Sequence, residues 1–250
     1  MDGDGAASRA NRGDGGTSLG GRPGARIIRD AGDGALRVIL GEGLDVRVNE
    51  AVLGIAAAVR RQAPAGVLSV ISGYTSVLIE YDPAIIGRDP LFEWLAGLDP
   101  EAAEETGRVV TVPVSYGGEH GPDLEDVAAR LGLAPDEVVA IHTHPVYRVY
   151  ATGFAPGFPF AAPLDDRLQL ARRDSPRERV PAGSVAIAGR QTGIYPLPTP
   201  GGWHILGRTP LPLFSPEAAE PVLIRPGDSL RFVAVSVSQY VDLALGTDSG

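Results

Sequence analysis

The sequence predicts an α+β protein: a small α/β N-terminal domain over residues 25–107, then a closed or nearly closed β-barrel domain over 108–236. Three observations carry this. Between residues 26 and 98, short strand patterns alternate with two amphipathic helical patterns. Beyond His142 no helical period of any length recurs, while strand-like segments keep returning between turns. The stretch 180–203, VPAGSVAIAGRQTGIYPLPTPGGW, is rich in glycine and proline yet holds Val185, Ile187, Ile194, Tyr195 and Trp203. Glycine permits positive φ and close backbone approach, proline fixes φ, and β-formers between them describe strands joined by shaped loops.

Residues 1–24 are Gly, Asp, Ser, Arg and Ala without apolar period, and are expected to form a disordered tail. Residues 26–28 and 35–40 read as strands around a turn. Residues 47–62 read as a helix, with Val48, Val52, Ile55 and Val59 on one stripe and Arg60 and Arg61 at the end that favours cations. Strands are expected at 67–72 and 77–81, and a short helix at 91–98. Residues 99–107 form an acidic, alanine-rich connector.

The barrel opens with 108–114, where Pro113 suggests an edge strand. Asp123 is placed to cap a helix carrying Leu124, Val127, Ala128 and Leu131 at i, i+3, i+4, i+7, stopped by Gly132. A second helix over 135–141 starts on a proline. Strands then follow at 147–150, 185–188, 193–195, 203–206, 222–224 and 230–235, which indicates a barrel. Residues 237–250 are expected to be a frayed tail.

Composition excludes several classes. There is no cysteine, so neither disulfides nor thiolate metal sites exist, which fits a cytoplasmic setting. No apolar run approaches the ~20 residues needed to span a bilayer, so no membrane role is expected. The net charge of −9 argues against nucleic acid as a partner. Against it stands a cationic island: Arg167, Arg172, Arg173, Arg177, Arg179 and Arg190, with Asp174 and Glu178. Such an island suits an anionic ligand or an acidic partner surface; the alternative is a solvated loop whose arginines pair with carboxylates elsewhere. No phosphate loop, dinucleotide fingerprint or serine elbow is present, and paired carboxylates for acid/base work are not identifiable.

The candidate site residues come from HTHPVYRVY, GFAPGF and the loops near 191–203. His142 and His144 would share a face on an extended backbone. Zinc would need a third ligand, and no cysteine can supply it, so a polar pocket wall is the better reading and no metal is expected. Phe154 and Phe158 either pack a corner or wall a pocket for a small planar or cyclic ligand. Gln191 and Thr192 offer an amide and a hydroxyl between glycines, and Gly201, Gly202 and Trp203 repeat that design.

The runs HTHPVYRVYATGFAPGFPF and PRERVPAGSVAIAGRQTGIYPLPTPGGWHILGRTPL, with GDGALRVILG, SGYTSVLIEYDP and VPVSYGGEHGPDLEDVAARLGL upstream, resemble the family of the 5-oxoprolinase B-type subunit, allophanate hydrolase subunit 1 and the sporulation-kinase inhibitor Kip. The resemblance covers residues 27–235. It implies a small α/β domain followed by a cyclophilin-like β-barrel. It implies a carboxyltransferase-like second subunit as partner and, for a 5-oxoprolinase, a third subunit of the lactam-utilisation type.

Carried over position by position, its motifs imply a substrate-binding set of His142, Tyr147, Arg148, Phe154, Phe158, Arg177, Ser184, Gln191, Thr192, Tyr195 and Trp203. They give no catalytic residue, and His144 and Arg190 depart from the pattern. The activity implied first is ATP-dependent opening of 5-oxoproline to glutamate, with ATP as co-substrate of the complex and the arginine island holding phosphate or carboxylate oxygens. The alternatives are allophanate hydrolysis and inhibition of a histidine kinase without chemistry. The set is expected to line one mouth of the barrel, with His142, Gln191 and Trp203 around a shared cavity.

Overall fold

The computed structural model describes residues 26–99 and 107–247. The tail expected at 1–24 and most of the connector at 99–107 lie outside the described residues.

The first layer runs β1 (Ile27–Asp30), β2 (Ala35–Ile39), α1 (Val46–Gln62), β3 (Val67–Ser72), β4 (Ser76–Tyr81) and α2 (Arg88–Gly97). Its four strands pair antiparallel in the order β1-β2-β4-β3. Helix α1 begins where the Asp45 carboxylate accepts the Arg47 and Val48 N–H groups. Val52, Ile55 and Val59 then meet Leu36, Val38, Val77 and Ile79 of the sheet and Leu91 and Leu95 of α2 in one core. Enclosing each such side chain contributes about 1.5–3 kcal/mol, before the entropy of ordering it.

The second part follows as β5 (Val109–Tyr116), α3 (Leu124–Leu131), α4 (Pro135–Thr143), β6 (Val146–Thr152), β7 (Pro159–Ala162), a 3-10 turn (Asp166–Leu168), β8 (Arg177–Val180), β9 (Ser184–Ala188), β10 (Gln191–Ile194), β11 (Thr199–Gly201), β12 (His204–Arg208), β13 (Ser229–Ala234) and α5 (Val237–Thr247). Seven strands close a barrel in the order β10-β7-β6-β13-β5-β12-β9, and β11 pairs with β8 in a separate ribbon. The α+β class and the barrel are therefore both present. Val112, Val114, Val149, Val185, Ile187, Leu230 and Phe232 fill the interior, and Leu124, Val127 and Val138 of α3 and α4 join them. Gly132 ends α3 at φ 68°, the left-handed conformation that lets the chain turn into α4.

Three expectations need correction, and one barrel strand lay outside them. Strand β5 is not an edge: β13 lies parallel on one side and β12 antiparallel on the other. The β12 ladder engages only Ser115 and Tyr116, so Pro113 sits where no N–H is asked for. Residues 222–224 form only an isolated bridge, Phe214 to Val222. Strand β7 was hidden because its proline and aromatic residues resemble the preceding loop. Residues 237–247, expected within a frayed tail, form the helix α5. Ser236 and Gln239 cap it reciprocally: the Ser236 N–H donates to the Gln239 side chain at 2.8 Å and the Gln239 N–H to Ser236 Oγ at 3.2 Å. That signature, with Val237, Tyr240, Val241 and Ala244 at i, i+3, i+4, i+7, stands in the sequence.

Candidate functional site on the outer wall of the barrel

Side chains alternate across a strand, so each barrel strand has an inner and an outer row. In β9, Val185 and Ile187 belong to the interior core, whereas Ala186 and Ala188 lie among the outer cluster of Ala155, Phe158, Val180, Tyr195, Trp203 and Ile205. Alanines on the outer row leave depth that aromatic rings partly fill. Phe158 stands edge-on to Tyr195 (5.1 Å, 86°) and to Trp203 (5.5 Å, 88°), and Phe160 is 4.7 Å from Phe158. Edge-to-face packing holds such rings at fixed angles. Two glycines make the approach possible. A Cβ on Gly193 would lie 2.8 Å from the Phe158 ring, and one on Gly201 2.3 Å from the Tyr195 hydroxyl.

These residues enclose a cavity of about 270 Å³ lined by Phe154, Phe158, Phe160, Tyr195 and Trp203, with Pro176, Pro200, Gly201, Gly202 and Arg172 completing it. Phe154 forms the lip. It is 68% exposed, holds φ at 65°, and stands edge-on to Phe158 at 5.7 Å. A left-handed backbone on a bulky residue costs of order 1–3 kcal/mol and tends to persist where function holds it.

A strap, residues 170–177, closes the side of the cavity. Backbone bonds fix it: the Gly189 N–H donates to the Leu170 carbonyl at 2.7 Å, and the Arg173 N–H to the Gly202 carbonyl at 2.8 Å. His204 Nε2 adds a bond to the Ala171 carbonyl at 2.9 Å. Its far end is held by Asp123, which is 3% exposed. Arg177 donates to both carboxylate oxygens at 2.9 and 2.6 Å, Arg173 donates at 3.1 Å, and the Ile205 N–H at 2.7 Å. Burial alone would push the Asp123 carboxyl up. The bonds from Arg177 and Ile205, with the charges of both arginines, outweigh it and hold the group below the usual carboxylate range. Asp123 does sit at the cap position of α3, but its side chain caps nothing there, because two guanidinium groups compete for it more strongly.

The remaining residues of the expected set lie elsewhere. His142 is fully enclosed in the barrel core, with Phe232 at 4.6 Å and Tyr147 at 5.5 Å. The expectation of an extended backbone at His142 fails because α4 runs on to Thr143, with His144 capping it. Two residues apart on a helix face nearly opposite ways. His142 therefore points inward, while His144 and Arg190 line a separate groove of about 580 Å³ with Asp165 and Asp166.

The hydrogen bonds around His142 fix its tautomer. Thr192 Oγ1 donates its one proton to the Ala186 carbonyl at 3.2 Å, so it accepts from His142 Nε2 at 2.9 Å. The bare Nδ1 then accepts from the Tyr116 hydroxyl at 2.7 Å. Burial holds this imidazole neutral, with its pKa pushed down to about 3.

Tyr147 and Ser184 are also fully enclosed; Tyr147 donates to the His142 carbonyl, and Ser184 Oγ has no hydrogen-bond partner among the described residues. Arg148 and Gln191 face the first layer. Arg148 reaches Asn49 at 3.3 Å and Glu50 at 3.7 Å, and Gln191 Nε2 reaches the Tyr74 hydroxyl at 2.5 Å. Buried Asn49 donates to the Tyr150 carbonyl at 3.0 Å, joining α1 to the barrel. Thus Phe154, Phe158, Tyr195 and Trp203 share one cavity and Arg177 braces it, while His142, Gln191 and Trp203 share none. The expected mouth is instead a pocket on the outer wall. Arg172 enters the pocket from the expected cationic island, whereas Phe160 and Asp123 stood outside every expected site. Among the described residues, no grouping of three or more His, Asp or Glu side chains could hold a metal ion, and no helix is long and apolar enough to cross a membrane.

A closed seven-stranded barrel joined to a four-stranded α/β layer defines the class of fold. The chain belongs to the carboxyltransferase domain, subdomain C and D family, which it matches over residues 26–224. It is 42% identical over 227 residues to the B-type subunit of 5-oxoprolinase from Bacillus subtilis, covering 85% of this chain and 94% of that one. The crystal structure of TTHA0988 aligns with a TM-score of 0.74 at 45% identity, over 81% of this chain and 40% of that one. The Kluyveromyces lactis urea carboxylase aligns with a TM-score of 0.73 at 22% identity, over 90% of this chain and 23% of that one, which shows a shared fold alone. This chain therefore spans less than half of either solved relative.

Proposed function

We propose that the chain is the B-type subunit of an ATP-dependent 5-oxoprolinase in the cytoplasm. It acts with a carboxyltransferase-like second subunit and a lactam-utilisation third subunit to open 5-oxoproline to glutamate. The observation that carries this reading is the 42% identity across 94% of the Bacillus subtilis 5-oxoprolinase B-type subunit. The pocket supports it chemically. Its apolar, flat walls suit a small saturated ring, and excluding water there strengthens any polar contact made to the ligand.

Opening an unstrained lactam adds water across the C–N bond; coupling to ATP hydrolysis lets phosphorylation of the amide oxygen make that carbon electrophilic. Among the described residues lining the pocket there is no carboxylate, imidazole, serine or threonine. Burial raises the pKa of the Tyr195 phenol, partly offset by the Trp203 backbone N–H and by Arg172 and Arg177, so it remains protonated at neutral pH. This supports a division of labour: the chain holds the ring, and the general base and nucleotide site are completed by the partners.

Reconstitution with both partner subunits tests it. The wild-type complex should release glutamate in step with ATP hydrolysis. Phe154→Ala, at the exposed lip, should raise KM about tenfold with kcat nearly unchanged, the signature of lost ground-state contact worth about 1–2 kcal/mol. Ammonia release from allophanate in place of glutamate from 5-oxoproline would refute the substrate, and an unchanged KM would refute the site.

A further inference from the structure

The cationic island resolves into four committed groups and two without a carboxylate partner among the described residues, Arg172 and Arg179, of which Arg172 lines the aromatic cavity and Arg179 does not. Arg173 and Arg177 are bound to Asp123, Arg167 pairs with Asp165 at 2.9 Å, and Arg190 lies 4.0 Å from Asp166. Among the described residues no carboxylate lies within ion-pair distance of Arg172, which stands exposed on the strap between two cavities and lines both, the aromatic one and the neighbouring one that also holds Arg130 and Asp174. Its charge is felt at the hydroxyls of both Tyr195, in the pocket, and Tyr74, whose ring packs 6.1 Å from Phe160. The strap that carries it is fixed on both flanks by backbone bonds and at its end by the Asp123 clamp. One guanidinium is thus delivered to the edge of an otherwise uncharged, aromatic cavity.

We infer that Arg172 recognises a carboxylate on the ligand, so that the aromatic pocket selects a small saturated ring bearing a single anionic group. This rests on the pocket being the lactam site and adds the residue that sets its charge specificity. A cavity walled by rings accepts hydrocarbon rings without discrimination, since apolar contact carries little orientation. A planar guanidinium can pair with both oxygens of a carboxylate, which fixes the ring in one orientation and rejects the uncharged lactam. Asp123 is the positioning residue: by occupying Arg173 and Arg177 it leaves Arg172 as the pocket's own cation.

The experiment compares binding of 5-oxoproline with that of 2-pyrrolidinone, the same ring without the carboxylate. It uses the full chain with Trp94→Phe, so that Trp203 fluorescence reports the pocket. The expected result is a preference for 5-oxoproline of about tenfold to a hundredfold, the size of a charge-assisted pair. Arg172→Gln should abolish the preference while leaving 2-pyrrolidinone binding and Tm unchanged, and Arg172→Lys should retain part of it. Arg130→Ala, which lines only the neighbouring cavity formed by the other side of the strap, should keep the preference in full. If Arg172→Gln weakens both compounds equally, or Arg130→Ala is the variant that removes the preference, Arg172 is not the recognition residue and the lactam reading stands. If the wild-type chain binds neither compound, the lactam reading of the pocket fails, and this inference with it.

Discussion

His142→Ala should lower the unfolding free energy by about 4 kcal/mol, in thermal or urea unfolding of the full chain. The imidazole is enclosed on all sides, so its removal leaves a cavity, and large-to-small changes in cores cost about 2–5 kcal/mol. It also strips the Tyr116 hydroxyl of its acceptor and Thr192 Oγ1 of its donor, and a buried polar group left unpaired costs about 1–3 kcal/mol. These costs overlap, because the cavity admits some relaxation. A loss below about 1 kcal/mol would show that the ring is not a strut of the barrel.

The same residue predicts a pH dependence. Its folded pKa is pushed down to about 3, while the unfolded value is about 6.5. Between those limits the unfolded chain binds more protons than the folded one. Stability therefore rises with pH across that window, and falls on acidification by up to about 1.4 kcal/mol per pH unit from this group. His142→Gln should flatten the slope between pH 6.5 and 5 even though the variant is less stable at pH 7.

Asp123→Ala is the second large effect, expected at about 2–4 kcal/mol. Removing one partner of a buried ion pair typically costs about 3–5 kcal/mol, and the figure is reduced here because Arg173 and Arg177 are 30% and 26% exposed. The Ile205 N–H also loses its acceptor. Arg177→Ala alone should cost less. The double variant should cost little more than Asp123→Ala, because the two residues act through one contact.

The acid response differs from that of His142. The Asp123 pKa is held below the ordinary carboxylate value, so its contribution is complete above about pH 4 and is lost as pH falls through the folded value. Two separable acid steps are thus expected, the first flattened by His142→Gln and the second by Asp123→Asn. Ligand affinity should follow Asp123 but not His142, since only Asp123 anchors the strap beside the pocket.

How much of this was legible in the sequence follows from how local each signal is. Helices α1 and α3 announced themselves because apolar spacing and end residues are local. The barrel could be inferred from recurring short strands, but not its closure, since pairing β9 to β12 and β5 to β13 is a long-range event. Pro113 misled because edge and interior cannot be told from one strand. The aromatic wall was half visible: Phe154, Phe158, Tyr195 and Trp203 come from separate motifs, and only the fold sets them edge to face. His142 read as a pocket residue because a histidine between helix and strand patterns carries no mark of which face of α4 it occupies. Asp123 read as a helix cap because its arginine partners lie 50 and 54 positions away. The capping box of α5 was a local signal, present and passed over.

The central claim is that the outer aromatic pocket, rather than the barrel interior or the groove by His144 and Arg190, receives the ring of 5-oxoproline. The most direct measurement is a crystal structure of the chain with its partner subunits and 5-oxoproline bound. The account predicts the ring packed between Phe158, Tyr195 and Trp203 with its carboxylate toward Arg172. Ligand density in the His144 groove, or wholly within a partner subunit while this pocket stays empty, would contradict it.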